Sequence, residues 1–282
     1  MSTRLEDLKK YIGQSETTED VVTVSQVGRL AAALDVDHPA PNDGDPIPAG
    51  WHGAFCPTIV KLSGLRADGQ PAGGGVTPPV PLPRHTLAGV EARFEDTIRI
   101  GDRLSKVTEV ADVVIELDDS NPSVVLTLRE TLSSPRGVAV IEERRSAYFG
   151  ENGPAAKPER PAVPSRATWQ RTYQADAAMM FRLSAVRYNT HRIHYDREYT
   201  TKVEGLPGLV VPLSLISVLM VDQCRVNVPA RRITSFSYRS ITRVFDLGPF
   251  AIMGALDGDT ATVWATDYKG DVAVAAVARF AD

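Results

Sequence analysis

The chain has 282 residues and a formal net charge of −4, from 31 Lys and Arg against 35 Asp and Glu; it has no global basic field, which argues against a whole-chain nucleic-acid binder. A composition of 43% hydrophobic and 23% charged residues fits a globular protein with a sizeable core, as one large domain or two fused ones, and excludes a disordered chain. The two cysteines, Cys56 and Cys224, make neither a disulfide framework nor a CxxC zinc site, so a reducing cytoplasm is the expected compartment.

The N-terminal MSTRLEDLKK lacks the apolar stretch of a signal peptide. Thr3-Arg4-Leu5-Glu6 reads as a capping box, with Leu5, Leu8 and Ile12 on one face of a short helix. A second helix is expected after Ser25, where Val27, Leu30, Ala31 and Leu34 recur at helical spacing and Asp35 begins the exit. Residues 36–50 are rich in Pro, Asp and Gly and read as a loop. So does the stretch 67–84, whose Gly73-Gly74-Gly75 is not followed by the GK[ST] of a phosphate-binding loop.

The period then changes to two. Runs near 90–100, 103–117, 123–132 and 138–148 predict a four-strand antiparallel meander with turns at Gly101-Asp102, Asp118 to Pro122 and Ser133 to Gly137. Residues 150–166 are rich in Pro, Gly and charge and read as a linker. Leu206 to Val221 is the longest apolar run, but Pro207, Pro212 and Ser214 interrupt it and it is too short to span a bilayer. Within it starts Leu213 to Val226, apolar on nearly every face, the pattern of a helix buried on most sides. Four β-rich runs follow, near 231–245, 249–256, 260–267 and 271–280. A buried helix followed by a four-strand meander suggests a sheet wrapped around one helix, and two such halves suggest a duplicated α+β fold, a double hotdog. The expected architecture is two antiparallel sheets, each wrapped around a central helix. Its parts are an N-terminal half at 1–149, a linker at 150–166 and a C-terminal half at 167–282. The long irregular stretch between the 25–35 helix and its meander strains this repeat.

Five histidines occur, and two of them sit in Asn189-Thr190-His191-Arg192-Ile193-His194. The surrounding segment 182–243 carries +6 against −10 for the rest of the chain. A local basic field around paired histidines suits an anionic small ligand such as a phosphorylated carrier; solvated sheet-edge arginines are the alternative. A metal is not expected, because the His-x-x-His pair has no third ligand at recognisable spacing. There is no GxSxG nucleophile elbow and no GxGxxG opening a helix. Histidine acid–base chemistry remains. The buried helix after Pro212 starts with unpaired backbone N–H groups, which suit the oxyanion of a thioester enolate. Together these suit adding water to, or removing it from, an α,β-unsaturated thioester. The alternative is that the histidines only hydrogen-bond a loop.

The segments FRLSAVRYNTHRIHYDREYT, EGLPGLVVPLSL and VWATDYKGDVAVAAVARF, and more loosely LPRHTLAGVEARFEDTIRIGDRL, resemble the two-hotdog branch of the MaoC-like hydratase/dehydratase superfamily. That branch holds mesaconyl-C4-CoA (3-methylfumaryl-CoA) hydratases and type 2 3-hydroxyacyl-thioester dehydratases. The wider superfamily has Asp-x-Asn-Pro-x-His; here Asn189 falls at the aspartate, His191 at the asparagine and His194 at the histidine. The resemblance implies His194 as general base, with Asn189 and His191 positioning water or fixing the tautomer. It implies the backbone N–H of Leu213 as oxyanion donor and no cofactor beyond the CoA thioester substrate. Arg187, Arg192, Arg84 and Tyr195 are the implied substrate-binding candidates. The branch generally reads His-Gly-Pro-Leu where this chain has Pro212-Leu213-Ser214-Leu215, a departure at the oxyanion position. The expected function is a cytoplasmic hydro-lyase acting on an acyl-CoA or acyl-carrier-protein thioester, without a nucleic-acid or membrane partner, as a monomer or homodimer. A non-catalytic thioester-binding protein and an acyl-thioesterase are the alternatives, since the fold does not fix the chemistry.

Overall fold

The structure, a computed structural model, describes residues 5–36, 41–73, 75–117, 121–151 and 162–282. Strand β1 (Ser15–Val21) leads into helix α1 (Val24–Leu34), then a long irregular passage, then β2 (Arg84–Phe94), β3 (Arg103–Glu116), β4 (Ser123–Ser134) and β5 (Gly137–Phe149). The second half follows the same plan. It consists of β6 (Trp169–Tyr173), α2 (Ala177–Val186), α3 (Arg197–Lys202), α4 (Leu213–Asn227), β7 (Arg232–Ser240), β8 (Phe250–Asp257), β9 (Thr260–Thr266) and β10 (Val272–Ala281).

All strands join one antiparallel sheet in the order β1-β3-β4-β5-β2-β7-β10-β9-β8-β6. The two halves mirror each other about the β2–β7 seam, where Val90 pairs with Tyr238 and Ala92 with Phe236. The expected pair of separate sheets is therefore one continuous sheet. Neither half is a simple four-strand meander, because β2 pairs with β5 and β7 with β10 rather than with the next strand in sequence. The first strand runs earlier than the predicted 90–100, since the chain turns at Glu95 and Asp96, whose N–H groups both bond to Ala139 O.

The central helix exists once. Every residue of α4 from Leu215 to Cys224 is buried, and the helix packs on β7, β8 and β9. Burial on all sides explains why it is apolar all round. Its polar groups are matched: Asp222 pairs with Arg225 at 2.6 Å, and Gln223 Nε2 donates to the Tyr173 hydroxyl at 2.9 Å. The first half has no counterpart, which corrects the expectation of one helix per sheet. Helix α1 corresponds instead to α2: each follows an edge strand, and the two helices pack on each other. The α1 start lies a residue earlier than predicted because Thr23 caps it, with Gln26 closing a reciprocal capping box. Between α1 and β2 the longest helical piece is the 3₁₀ turn Trp51–Ala54. Its Trp51 is 1% exposed, and Gly50 beside it lies against Val221 of α4. One core runs through both halves, from Val22 and Leu30 to Phe280.

A smaller apolar cluster of Leu8, Val76, Val110, Val113, Val124 and Leu126 lies under the N-terminal 3₁₀ helix Leu5–Tyr11. Leu8 is buried as expected, but Ile12 is exposed. The Thr3 and Arg4 of the predicted capping box, residues 118–120 of a predicted turn and residues 152–161 of the linker lie outside the described residues. Among the described residues no helix is long and apolar enough to cross a membrane.

Candidate active site

The site is built in the passage between α2 and α4. Asp176 caps α2 through Met179 N–H, and the helix ends at Tyr188, whose φ of 54° is left-handed. Asn189 N–H returns to Ser184 O at 2.8 Å. Its side-chain Oδ1 then accepts the His191 N–H at 3.1 Å, a local turn that sets the next residues. A 3₁₀ turn, Arg192–His194, follows, and Asp196 caps α3.

His194 is 8% exposed. Its Nδ1 lies 2.8 Å from Val210 O. A carbonyl oxygen only accepts, so Nδ1 carries the proton and Nε2 keeps its lone pair. Burial lowers the His194 pKa from 6.5, with the Val210 bond opposing; the ring is a neutral base near pH 7. His191 sits edge-on to it, ring centroids 5.4 Å apart. Gln70 Nε2, which also donates to Asp68, approaches His191 Nε2 at 3.2 Å, so His191 accepts there and protonates at Nδ1. Burial first, and then His194, push the His191 pKa down to about 4. Neither histidine bears charge at neutral pH.

Val210 connects this loop to the buried helix. Its N–H bonds to Ile193 O at 2.9 Å, and Val211 N–H bonds to Val244 O. Two residues later Pro212 caps α4 without a side-chain bond. The Leu215 N–H turns back to Pro212 O at 2.9 Å. Among the described residues no acceptor meets the N–H of Leu213 or Ser214, so two donors at the positive end of α4 are free. The Leu213 side chain packs against the core.

The first half supplies the clamp. Asp68 O accepts the Arg192 N–H at 2.9 Å, and Gly69 O accepts the Thr190 hydroxyl at 2.6 Å. Gly69 has a φ of +83°, and a Cβ there would lie 2.0 Å from Thr190 O. Only glycine permits both the conformation and the approach.

The remaining candidates separate. Arg192 holds the loop together: Nε and Nη2 bond to Asp196 Oδ2, Nη1 bonds to Ala67 O, and the guanidinium lies 3.9 Å over Tyr199. Three of its five N–H donors are used inside the protein, which gives it a fastening role in the loop. Tyr195 is exposed, and its hydroxyl bonds to Thr190 O. Arg84 is exposed at the start of β2; its neighbour His85, stacked on Tyr148, is one of the groups that act electrostatically on His191, after His194 and Asp68. Arg187 turns inward and lines a cavity of about 600 Å³, its mouth included, together with Ser214, Ser217, Arg144, Glu142 and Tyr238. A second cavity of about 750 Å³, mostly apolar, continues along α4 past Val221. His191 and His194 line neither cavity; in sequence, Ser214 follows the start of α4 and Arg187 precedes the histidine loop. The Gln70 and Gly69 contacts were hidden from the sequence because they join residues 121 positions apart. The Asp68-Gly69 pair was legible only as a turn.

The description "hydroxyacyl-thioester dehydratase type 2" matches residues 50–246, more than two thirds of the chain. A mesaconyl-C(4)-CoA hydratase of Chloroflexus aurantiacus is 33% identical over 96% of this chain and 96% of its own length. Two solved structures share the fold at low identity. A MaoC-like dehydratase from Phytophthora capsici superposes with TM-score 0.71 at 12% identity, covering 99% of both chains. A Mycobacterium tuberculosis protein described as a double hotdog fold gives TM-score 0.58 at 14% identity over 98% of both chains. With its continuous ten-stranded sheet and single central helix, the molecule is an α+β double hotdog. The chain belongs to the type 2 hydroxyacyl-thioester dehydratase family, as a hydro-lyase that hydrates or dehydrates an acyl thioester.

Proposed function

We propose that the chain hydrates a short, branched α,β-unsaturated acyl-CoA of the mesaconyl-C4-CoA type, with His194 as general base and acid and the Leu213 N–H as oxyanion donor. The observation that carries this is the His194 tautomer: Nδ1 donates to Val210 O, and Nε2 is left with its lone pair in a buried, neutral ring. Water held at Nε2 attacks the β-carbon as His194 takes its proton. The electron pair of the double bond moves through the α-carbon to the thioester oxygen, where the free N–H groups of α4 meet the developing charge. The imidazolium then returns the proton to the α-carbon. One water is added and no cofactor is consumed.

Asn189 has its Oδ1 on the His191 N–H, leaving the amide Nδ2 as a donor that orients the water. His191 keeps the pocket uncharged and packs against the base. A CoA thioester is supported by the name of the Chloroflexus relative; a cytoplasmic location, and a monomer or homodimer, follow as parts of the same proposal.

The test is absorbance of the conjugated enoyl-thioester with purified protein on mesaconyl-C4-CoA and crotonyl-CoA, with free thiol followed in parallel. Loss of absorbance without thiol release is the expected result. Thiol release would make the chain a thioesterase. Tight thioester binding with no change in absorbance would make it a binding protein and would put the Pro212-Leu213-Ser214 departure at fault.

A further inference from the structure

Among the basic residues near the site, Arg187 is exceptional. Arg192, Arg197 and Arg225 are each held by a carboxylate. The Arg187 side chain makes no hydrogen bond or ion pair among the described residues, and it is half-buried. Its guanidinium lies against Gly53, where a Cβ would come within 2.6 Å of both terminal nitrogens, and it borders the cavity below Ser214.

The charges around it do not balance. Arg144 lines the same cavity, with Nη2 on Glu142 Oε1 at 2.9 Å. His52 Nε2 holds the other carboxylate oxygen at 3.1 Å. Burial alone would raise the Glu142 carboxyl, but His52 and Arg144 outweigh it and keep it ionised. Glu130, the next carboxylate, is matched by Lys106. Two guanidinium groups thus share one carboxylate, and one positive charge is left over at the cavity wall. Arg144 Nε and His52 Nδ1 are also buried without partners. A native structure rarely leaves so many buried polar atoms unmatched unless a ligand completes them.

We infer that this cavity receives the distal carboxylate of a dicarboxylic acyl thioester, and that Arg187, supported by Arg144 on its Glu142 anchor, is the group that selects it. The inference rests on the hydratase reading above. The order of residues in the wall suits it. In a trans-butenedioyl thioester the two carbonyl carbons are about 4 Å apart, as are consecutive Cα atoms across a trans peptide. Ser214, in the cavity wall, directly follows Leu213, the oxyanion donor. A thioester oxygen at Leu213 therefore leaves the carboxylate on the β-carbon one short step into the cavity. An uncharged chain such as crotonyl would leave the guanidinium unpaired and is expected to be the poorer substrate.

The experiment compares three thioesters on the wild-type chain: mesaconyl-C4-CoA, its methyl ester at the free carboxyl, and crotonyl-CoA. The acid is expected to exceed the ester by about 100-fold or more in kcat/KM, the range for truncating one partner of a buried charge pair. Arg187→Gln is expected to lower the acid-to-crotonyl ratio by a similar factor, and Arg187→Lys to lower it less. Equal turnover of acid and ester, or an Arg187→Gln variant that slows acid and crotonyl alike, overturns the inference while leaving the hydratase reading intact. If the wild-type chain hydrates none of the three, both fall. The ester comparison needs no variant, so it decides the matter even if Arg187→Gln fails to fold.

Discussion

The two halves share one strand order, β1-β3-β4-β5-β2 against β6-β8-β9-β10-β7, and each begins with an edge strand feeding a helix. They differ in what fills the passage between that helix and the seam strand. In the second half the passage holds the histidine loop and α4, whose N-terminal N–H groups are the proposed oxyanion donors. In the first half, among the described residues, it holds 3₁₀ turns and loops. Those loops reach across to the second half, where Asp68, Gly69 and Gln70 grip the histidine loop and Gly53 makes room for Arg187. Duplication built the sheet, and the division of labour arose in one connection. One copy keeps the helix, and the other converts the same stretch into a cover.

The sharpest break of this comparison is at the base. His194→Ala removes the only neutral imidazole with its Nε2 free at the loop and is expected to lower kcat/KM by about 10²- to 10⁴-fold. The thioester affinity should stay nearly unchanged, since the proposed role of His194 is to hold and deprotonate the reacting water. Turnover that survives this change would show that the second half's histidine is not the base.

Trp51 tests whether the first half really replaces a helix with a plug. It is 1% exposed within the shared core. Trp51→Ala should cost about 3–5 kcal/mol of stability, measured as the shift in the urea midpoint. A cost below about 1 kcal/mol would mean that the turn merely lies on α4 and that the core of the first half closes without it.

Gly69 tests the clamp itself. Alanine there is strained by the +83° φ and meets Thr190 O, so Gly69→Ala is expected to lose about 1–3 kcal/mol of stability. Because the displaced loop carries the residues proposed to position water, kcat/KM should fall by roughly 10- to 100-fold as well. Gly44→Ala is the control: its φ is +86° but nothing lies within 4 Å. It should cost stability without costing activity. Equal kinetic losses in the two variants would remove the clamp from the account.

Much of the second half was legible in the sequence, because its signals are local. Helix α4 is apolar on nearly every face, and the histidines stand three residues from one another in a loop with strong turn signals. The missing elements have weak local signals. Strand β1 is SETTEDV, a polar edge strand with no core face. Helix α2 exposes Phe181 at 62%, which blurs its apolar stripe. The sequence predicts the helix at 24–34 but not its equivalence to α2, which only strand order reveals. The charged cavity was least visible. Glu142 and Arg144 occupy every second position of β5 and read as an ordinary solvated face. They become interior only because β2 and β7 join the halves into one sheet, a contact that no local pattern encodes.

The smallest expected effect concerns the pair of histidines that the second half keeps uncharged. In the unfolded chain both bind a proton near pH 6.5, whereas in the fold burial lowers both, His191 to about 4. Between those values the unfolded state holds more protons than the native one, so stability is complete above about pH 6.5 and declines as the pH falls toward 4. His191→Asn places an untitratable group on Gln70. It should therefore narrow the difference in urea midpoint between pH 7.5 and pH 5.0, by on the order of 1 kcal/mol once partial exposure is discounted. The clamp explains why the narrowing should be incomplete. His194 is the more deeply buried of the two and is fixed by Val210 O, so it continues to penalise acid after His191 is gone. A variant as acid-sensitive as the wild type would assign the whole effect to His194 and leave His191 as packing alone.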